Sequence, residues 1–254
     1  MRLRFTSATE PKGKIDIDKD KEGADLRTIN VMDDVRLIDI REMILSDNED
    51  MADRIRERLK KERVYMMNLM ASPGAGKTSL ILQTIRTLKD RCRIGIIEGD
   101  IDSIVDTEKV MKAGVPAVQL RTGGACHLDA AMIDAALNEL DLSALDLIII
   151  ENIGNLVCPA EFDTGANLKV MISSVPEGDD KVLKYPLMFS VTDALILNKI
   201  DYLEDSDFDL DTFHRRVKNL NPSIEMFHLS CRKGTGVTDW TDWLYQRVTD
   251  ALQA

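Results

Sequence analysis

Four cysteines and three histidines are all that this 254-residue chain carries. So few thiols in so long a chain exclude the disulfide framework that staples small secreted domains. In a reducing compartment such thiols are core residues, metal ligands or reactive groups. Long apolar runs are also missing. No stretch reaches 18 apolar residues, and the opening "MRLRFTSATE" has no apolar signal-peptide core. The expectation is a cytoplasmic protein, neither secreted nor membrane-spanning. Positive charge is in deficit as well: 33 Lys and Arg stand against 44 Asp and Glu, a formal net charge of −11. General nucleic-acid binding runs on basic patches, so it is not expected. An acidic surface still leaves room for a phosphate ligand at one local site. No internal repeat or low-complexity tract breaks the pattern.

What is present is a rhythm. The runs "VYMMNLM" (64–70), "RIGIIE" (93–98), "PAVQL" (116–120), "LDLIIIE" (145–151), "LKVMISSV" (168–175), "DALILNK" (193–199) and "IEMFHLS" (224–230) are short and apolar. Several lack alternation, as strands buried on both faces do. Helical patterns lie between most of them, at 77–89, 126–140, 207–219 and 237–252. Strand–helix alternation predicts an α/β fold with a mostly parallel, doubly wound sheet flanked by helices, over residues 64–254. Ahead of it, residues 1–30 are polar and mixed in charge and are expected to be partly disordered. Residues 31–63 are expected to form an N-terminal helical extension. There Leu37, Ile38, Met43, Ile44, Leu45, Met51, Ile55 and Leu59 recur in a charged background. Two helices broken near "SDNED" fit this pattern, with Ser46 or Asp47 capping the second.

After the first strand comes "ASPGAGKTS" (71–79), which follows the phosphate-loop spacing G-x-x-x-x-G-K-[ST] with Ala71 in place of the first glycine. Small residues let the backbone curl so that its N–H groups face phosphate oxygens. Pro73, Gly74, Ala75, Gly76, Lys77, Thr78 and Ser79 are therefore the expected nucleotide cradle. Lys77 is placed to reach the β- and γ-phosphates, and the Thr78 hydroxyl to ligate Mg²⁺. The helix that follows aims its positive end at the same phosphates. The domain is thus read as a P-loop NTPase. "DALILNKID" ends in Asn198-Lys199-x-Asp201. A carboxylate at a strand end accepts both the N1–H and the N2–H of guanine, a donor pair that adenine lacks, so Asp201 selects GTP. Asn198 is expected at the N7/O6 edge of the base, and the Lys199 stem along its face. "LSCRKGTG" (229–236) offers Ser230, Cys231 and Arg232 as a second wall through their backbone N–H groups.

Elements that sense the γ-phosphate should follow the second and fourth strands of the domain. "EGDIDSIVDTEK" (98–109) carries Asp100, Asp102 and Asp106; Asp102 is left to solvent, the usual fate of an aspartate. "ENIGNLVCPAEFD" (151–163) starts with Glu151. Asp100 and Glu151 are candidate Mg²⁺ contacts and, with Lys77, candidate catalytic residues. Asp106 is a candidate nucleotide contact, and Gly154 can offer its N–H to the γ-phosphate. Cys126 and His127 are adjacent, after Gly123 and Gly124 and at the expected start of a helix. Inside a helix neighbours point about 100° apart. At a helix start both can turn to one point, and the helix terminus favours the thiolate. A cysteine is often only a small buried hydrophobe, but Cys158 lies in the second sensing loop and makes a third candidate ligand.

These segments together carry a resemblance. "NLMASPGAGKTSL", "GACHLDAAMI", "IIIENIGNLVCPAEFD", "VPEGDDKVLKYPLMF" and "LILNKIDYL" resemble the hydrogenase nickel-incorporation GTPases, the HypB family, from about residue 35 to the C-terminus. The resemblance implies GTP-dependent delivery of nickel to [NiFe]-hydrogenase during its maturation, alongside a small zinc- and nickel-binding partner protein, with the hydrogenase large-subunit precursor served indirectly. It implies a G-domain metal site at Cys126, His127 and Cys158, a homodimer promoted by GTP with metal between subunits, and Lys184 reaching the partner subunit's nucleotide. Some family members carry a Cys-rich or His-rich N-terminal nickel device; residues 1–60 contain neither Cys nor His, so neither device is expected here. Cys92, Cys231, His214 and His228 match no family ligand and are read as structural. Two thiolates and an imidazole suit Zn²⁺ or Ni²⁺. A urease-accessory GTPase is the nearest alternative, but its metal motif is typically Cys-Pro-His, and 158–160 here reads "CPA". A GTPase guarding a B12-dependent mutase has no need of this Cys/His set. A metal buffer using GTP only as a structural ligand has no need of an intact phosphate loop.

Overall fold

In the computed structural model, residues 28–32, 35–38, 40–100 and 112–253 are described, with side chains from residue 44 onward. Two units are distinguished, 1–47 and 48–254. In the first, β1 (Thr28–Met32) and β2 (Val35–Ile38) pair antiparallel, with a register shift between Asn30 and Met32. Helix α1 spans Ile40–Glu62. These elements differ from the expectation for 31–63: the chain is extended at Thr28–Met32 and Val35–Ile38, and the helix from Ile40 runs through "SDNED" without a break. Ser, Asp and Asn each cost a helix only a few tenths of a kcal/mol up to about 0.7. The Asn48 side chain also has partners elsewhere, accepting from Ala130 N at 2.8 Å and donating to Asp163 O at 2.8 Å.

The second unit is built on seven parallel strands. These are β3 (Tyr65–Ala71), β4 (Ile94–Asp100), β5 (Ala117–Arg121), β6 (Leu147–Gly154), β7 (Leu168–Ser174), β8 (Ala194–Asn198) and β9 (Glu225–His228). Their order is β5-β4-β6-β3-β7-β8-β9. Among the described residues, the α-helices that follow α1 are α2 (Lys77–Leu88), α3 (Ala130–Leu137), α4 (Cys158–Glu161), α5 (Lys181–Lys184), α6 (Pro186–Val191), α7 (Leu210–Leu220) and α8 (Val237–Gln253). The doubly wound α/β architecture predicted for 64–254 is the one observed.

The apolar runs explain the layers. All seven residues of β3 are buried. On one sheet face, Met67, Leu69, Ile149, Val170 and Ile196 pack against Leu80, Ile81 and Ile85 of α2 and Trp240, Leu244 and Val248 of α8. On the other, Met66, Ile97, Ile148 and Ile150 meet Ala52, Ile55 and Leu59 of α1 and Ile133 and Leu137 of α3. Further along that face, Met171, Leu195 and Leu197 meet Phe189, Phe213 and Val217. Each such side chain contributes about 1.5–3 kcal/mol by leaving water. Strand β3 sits centrally with β6 and β7 as its neighbours. Chain direction across the sheet reverses around it, and in open α/β sheets ligands bind at the carboxyl ends of strands at such a switch point.

Candidate functional site

The phosphate loop leaves β3 at Ala71 and enters α2 at Lys77. Gly74 and Gly76 hold φ of 77° and 108°, left-handed values open to glycine. A Cβ on Gly76 would also collide with the Asn198 amide. Asn198 and Lys199 grip the loop from the side: Asn198 Nδ2 donates to Ala75 O at 2.9 Å, and Lys199 Nζ donates to Gly74 O at 2.8 Å. Asn198 Oδ1 accepts from Cys231 N (3.2 Å) and Lys199 N (2.7 Å). The Asn198 amide therefore joins the phosphate loop to the 229–236 segment, rather than facing open space as a base-edge role alone would have it.

At the first turn of α2, Thr78 Oγ1 donates to Glu151 Oε1 at 2.9 Å. Glu151 is buried on β6, and Asp100 is half-buried at the end of β4. Asp102 and Asp106 lie outside the described residues. Gly154 passes so close to the loop that a Cβ there would stand 2.9 Å from Pro73 Cγ. Lys181, not singled out from the sequence, is buried with its ammonium on Ser72 Oγ and Glu177. The readable trace of that arrangement is Ser174-x-x-Glu177, an S-x-x-E box whose two reciprocal bonds are both formed.

Asp201 stands beside a hollow of about 220 Å³ lined by Ile200, Glu204, Ser230, Lys233 and Thr235. Its Oδ1 is enclosed with no hydrogen-bond partner. A hydrogen bond from Ser230, with help from the charges of Lys233 and Arg232, holds this carboxyl below the usual range, so it is an anion at neutral pH. Burial pushes the Cys231 thiol up to about 11 and the Cys92 thiol up to about 12, which makes both inert. A larger hollow, about 570 Å³, lies at the opposite end of the strands near Arg93, Ile94 and Val115; Cys92, read as structural, lines it, and no predicted site residue does.

Cys126, His127 and Cys158 converge, their ligand atoms all within 4.8 Å of one another. Cys126 Sγ is 2.9 Å from Cys158 Sγ and 3.9 Å from His127 Nδ1. They are the sole Cys/His/Asp/Glu trio so arranged among the described residues. One expectation is corrected. The helix begins at Ala130, capped by Asp129 Oδ1 on Met132 N at 2.8 Å, so Cys126 and His127 lie in the preceding loop and not at a helix terminus. Asp129 is the better N-cap, which moves the start downstream. Gly123 and Gly124, at φ of 60° and 119°, turn the loop toward Cys158. Burial lowers the His127 pKa, favouring the neutral imidazole that ligates metals. Its ring stacks on Phe162 at 3.8 Å. Asn155 links the two segments, donating to Cys126 O at 3.2 Å and accepting from Val157 N at 3.0 Å. The Cys126–Cys158 hydrogen bond raises the Cys158 pKa.

Residues 65–228 match the CobW/HypB/UreG nucleotide-binding domain. The chain is 43% identical over 219 residues to a hydrogenase maturation factor HypB of Azotobacter vinelandii, covering 86% of this chain and 72% of that one. It is 40% identical over 225 residues to the hydrogenase/urease maturation factor HypB of Helicobacter pylori strain 26695, covering 87% and 91%. The chain belongs to the HypB family. The crystal structure of HypB from Helicobacter pylori in complex with nickel superposes on it with a TM-score of 0.77 at 38% identity, covering 82% of this chain and 98% of that one. HypB from Archaeoglobus fulgidus does so at 0.75 and 37%, covering 80% and 99%. A HypB and a UreG reading are not sharply opposed, since one domain model spans both names.

Of the remaining HypB-derived expectations, Lys184 is exposed and pairs with Asp180 at 2.7 Å, and Lys181 is the buried lysine of that segment. His214 and His228 bond to each other, Nε2 to Nε2 at 2.7 Å. That contact holds a proton between the rings, and burial, then His214, lowers the His228 pKa. No helix among the described residues is long and apolar enough to cross a membrane.

Proposed function

We propose that this chain is a cytoplasmic, GTP-hydrolysing metallochaperone that carries nickel, with zinc as the competing ion, for hydrogenase maturation. The observation that carries the reading is the trio itself: one of its ligands, Cys158, stands seven residues beyond Glu151 on the same β6–α4 segment. A segment that answers to the γ-phosphate therefore moves a metal ligand. In this reading Lys77, with the 73–79 backbone, holds the phosphates. Thr78, Glu151 and Asp100 hold Mg²⁺; the Thr78–Glu151 contact supports this, because it gathers hard oxygen donors beside the loop. When bound, Mg²⁺ neutralises charge on the β- and γ-phosphates. Asp201 reads guanine, with Asn198, Lys199 and the Ser230–Arg232 backbone framing the base. Asp106 is retained as a nucleotide contact on sequence grounds.

Cys126, His127 and Cys158 are the ligands of the cargo ion, Ni²⁺ or Zn²⁺. Three ligands leave a position for exchange, which suits a donor. A GTP-promoted homodimer, Lys184 reaching the partner subunit's nucleotide, and hand-over with a small zinc- and nickel-binding maturation protein complete the proposal. The relative from Helicobacter pylori named for hydrogenase and urease supports keeping urease as a second destination. The test is metal content and oligomeric state with GDP and with a non-hydrolysable GTP analogue. Occupancy or dimer fraction should change with the nucleotide; a pure buffer leaves both unchanged and shows no GTP turnover.

The base assignment has its own test. Asp201→Asn should lower discrimination of GTP over ATP by about 10–100-fold, since hydrogen bonds to a charged acceptor contribute about 1.5–3 kcal/mol. Competition binding measures it, and unchanged discrimination removes Asp201 from the base site.

A further inference from the structure

A buried chain of side-chain amides runs between the phosphate side and the metal side of the sheet. Strand β6 carries one extra residue opposite β3, where Leu69 pairs with Glu151 but Ala71 pairs with Gly154. Bulges of this kind re-aim side chains. Here Asn152 Oδ1 takes up Ile153 N at 2.8 Å. The same oxygen accepts Leu128 N at 3.2 Å, on the residue directly after His127. Asn152 Nδ2 donates to Asn68 Oδ1 at 3.1 Å, on the strand that feeds the phosphate loop. Asn152 and Leu128 are 0% exposed and Asn68 1%. Water cannot replace these bonds, so breaking one leaves an orphaned buried polar group. Glu151 and Asn152 share a peptide yet act on opposite sides: one holds Thr78, the other the loop of His127. Asn48 holds the metal segments by a separate route, through Ala130 N and Asp163 O.

We propose that Asn152 is the positioning residue that couples the nucleotide to the metal ligands, a step that rests on the metallochaperone reading above. When Glu151 exchanges Thr78 for the loaded nucleotide site, its peptide shifts, and the Asn152 amide carries Leu128 and His127 with it. Metal bonds tolerate only about ±0.2 Å, so a small shift changes affinity. Asn48, which touches neither Glu151 nor the phosphate loop in this way, sets affinity without transmitting nucleotide state.

The experiment is Ni²⁺ titration of the full chain, followed by thiolate-to-nickel absorption, with Mg·GDP and with a Mg·GTP analogue. Wild type should differ by about fivefold or more between the two states, the usual scale of allosteric coupling. In Asn152→Leu, which releases the His127 loop but leaves Cys158 on the Glu151 segment, that ratio should fall by about half or more toward one, while nucleotide affinity stays near wild type. In Asn48→Ala affinity should drop in both states with the ratio kept. If Asn152→Leu does not fold, Asn68→Ala cuts the same chain from its other end and should lower the ratio likewise. A wild-type ratio of one overturns the metallochaperone coupling and this proposal together. A wild-type ratio retained in Asn152→Leu or Asn68→Ala overturns this proposal alone.

Discussion

Lys77→Ala is expected to lower GTP turnover by about 10²–10³-fold, the scale of losing one preorganised electrostatic partner of a transition state. Lys77 is the first residue of α2, directly after left-handed Gly76, where the loop opens into the helix. The loop's carbonyls are already held, Ala75 O by Asn198 and Gly74 O by Lys199. Removing Lys77 therefore takes away the charge proposed to hold the phosphates and leaves the loop braced. Alanine is the best helix former, so α2 should not suffer. Single-turnover hydrolysis measures the effect, with far-UV circular dichroism and the thermal transition as controls. Turnover within about threefold of wild type, far short of that loss, removes the phosphate-loop assignment.

Cys126→Ala and Cys158→Ala should differ in kind. Cys126 lies on the Gly123–Gly124 loop, and its carbonyl is held by Asn155. Losing its thiolate should weaken Ni²⁺ or Zn²⁺ binding by more than about 100-fold with either nucleotide, beyond the 10–100-fold typical of an outer-shell partner. Cys158 lies on the segment that starts at Glu151. Its loss should keep GTP binding but abolish the mutual dependence of metal and nucleotide. That dependence is reciprocal by linkage: metal changes GTP affinity by the factor with which GTP changes metal affinity. Metal titrations of both variants with GDP and a GTP analogue, paired with nucleotide titrations with and without metal, read both factors. Equal wild-type affinities in the two states sink the switch-cysteine mechanism even if all three ligands are correct.

Much of the α/β domain is legible along the chain because its determinants are local. Strands buried on both faces are written as unbroken apolar runs, and the structure places β3, β4, β6, β7 and β8 within a few residues of the runs at 64–70, 93–98, 145–151, 168–175 and 193–199. The phosphate loop and Asn198-Lys199-x-Asp201 are legible for the same reason, since fixed spacing on one turn is enough to mark them. The N-terminal extension was less so. Its helical periodicity did not reveal the extended β1 and β2, and the weak breakers in "SDNED" did not stop α1. The start of α3 shifted to Ala130 because one side chain, Asp129, caps better than its neighbours.

By itself, then, the sequence determined the strand–helix alternation, the glycine-rich loop between β3 and α2, and which residue types are available to the proposed metal and base sites. Tertiary structure alone decided which of them meet. Cys126 and Cys158 are 32 residues apart and Lys181 and Ser72 are 109 apart, and nothing in local spacing joins them. The Asn152–Asn68 bond, across 84 residues, exists because β3 and β6 lie side by side and a bulge turns Asn152 toward it. Parallel neighbours in a doubly wound sheet are joined through crossovers, so strands adjacent in space are distant in sequence. Local chemistry names the parts of such a site; strand order and register set their distances.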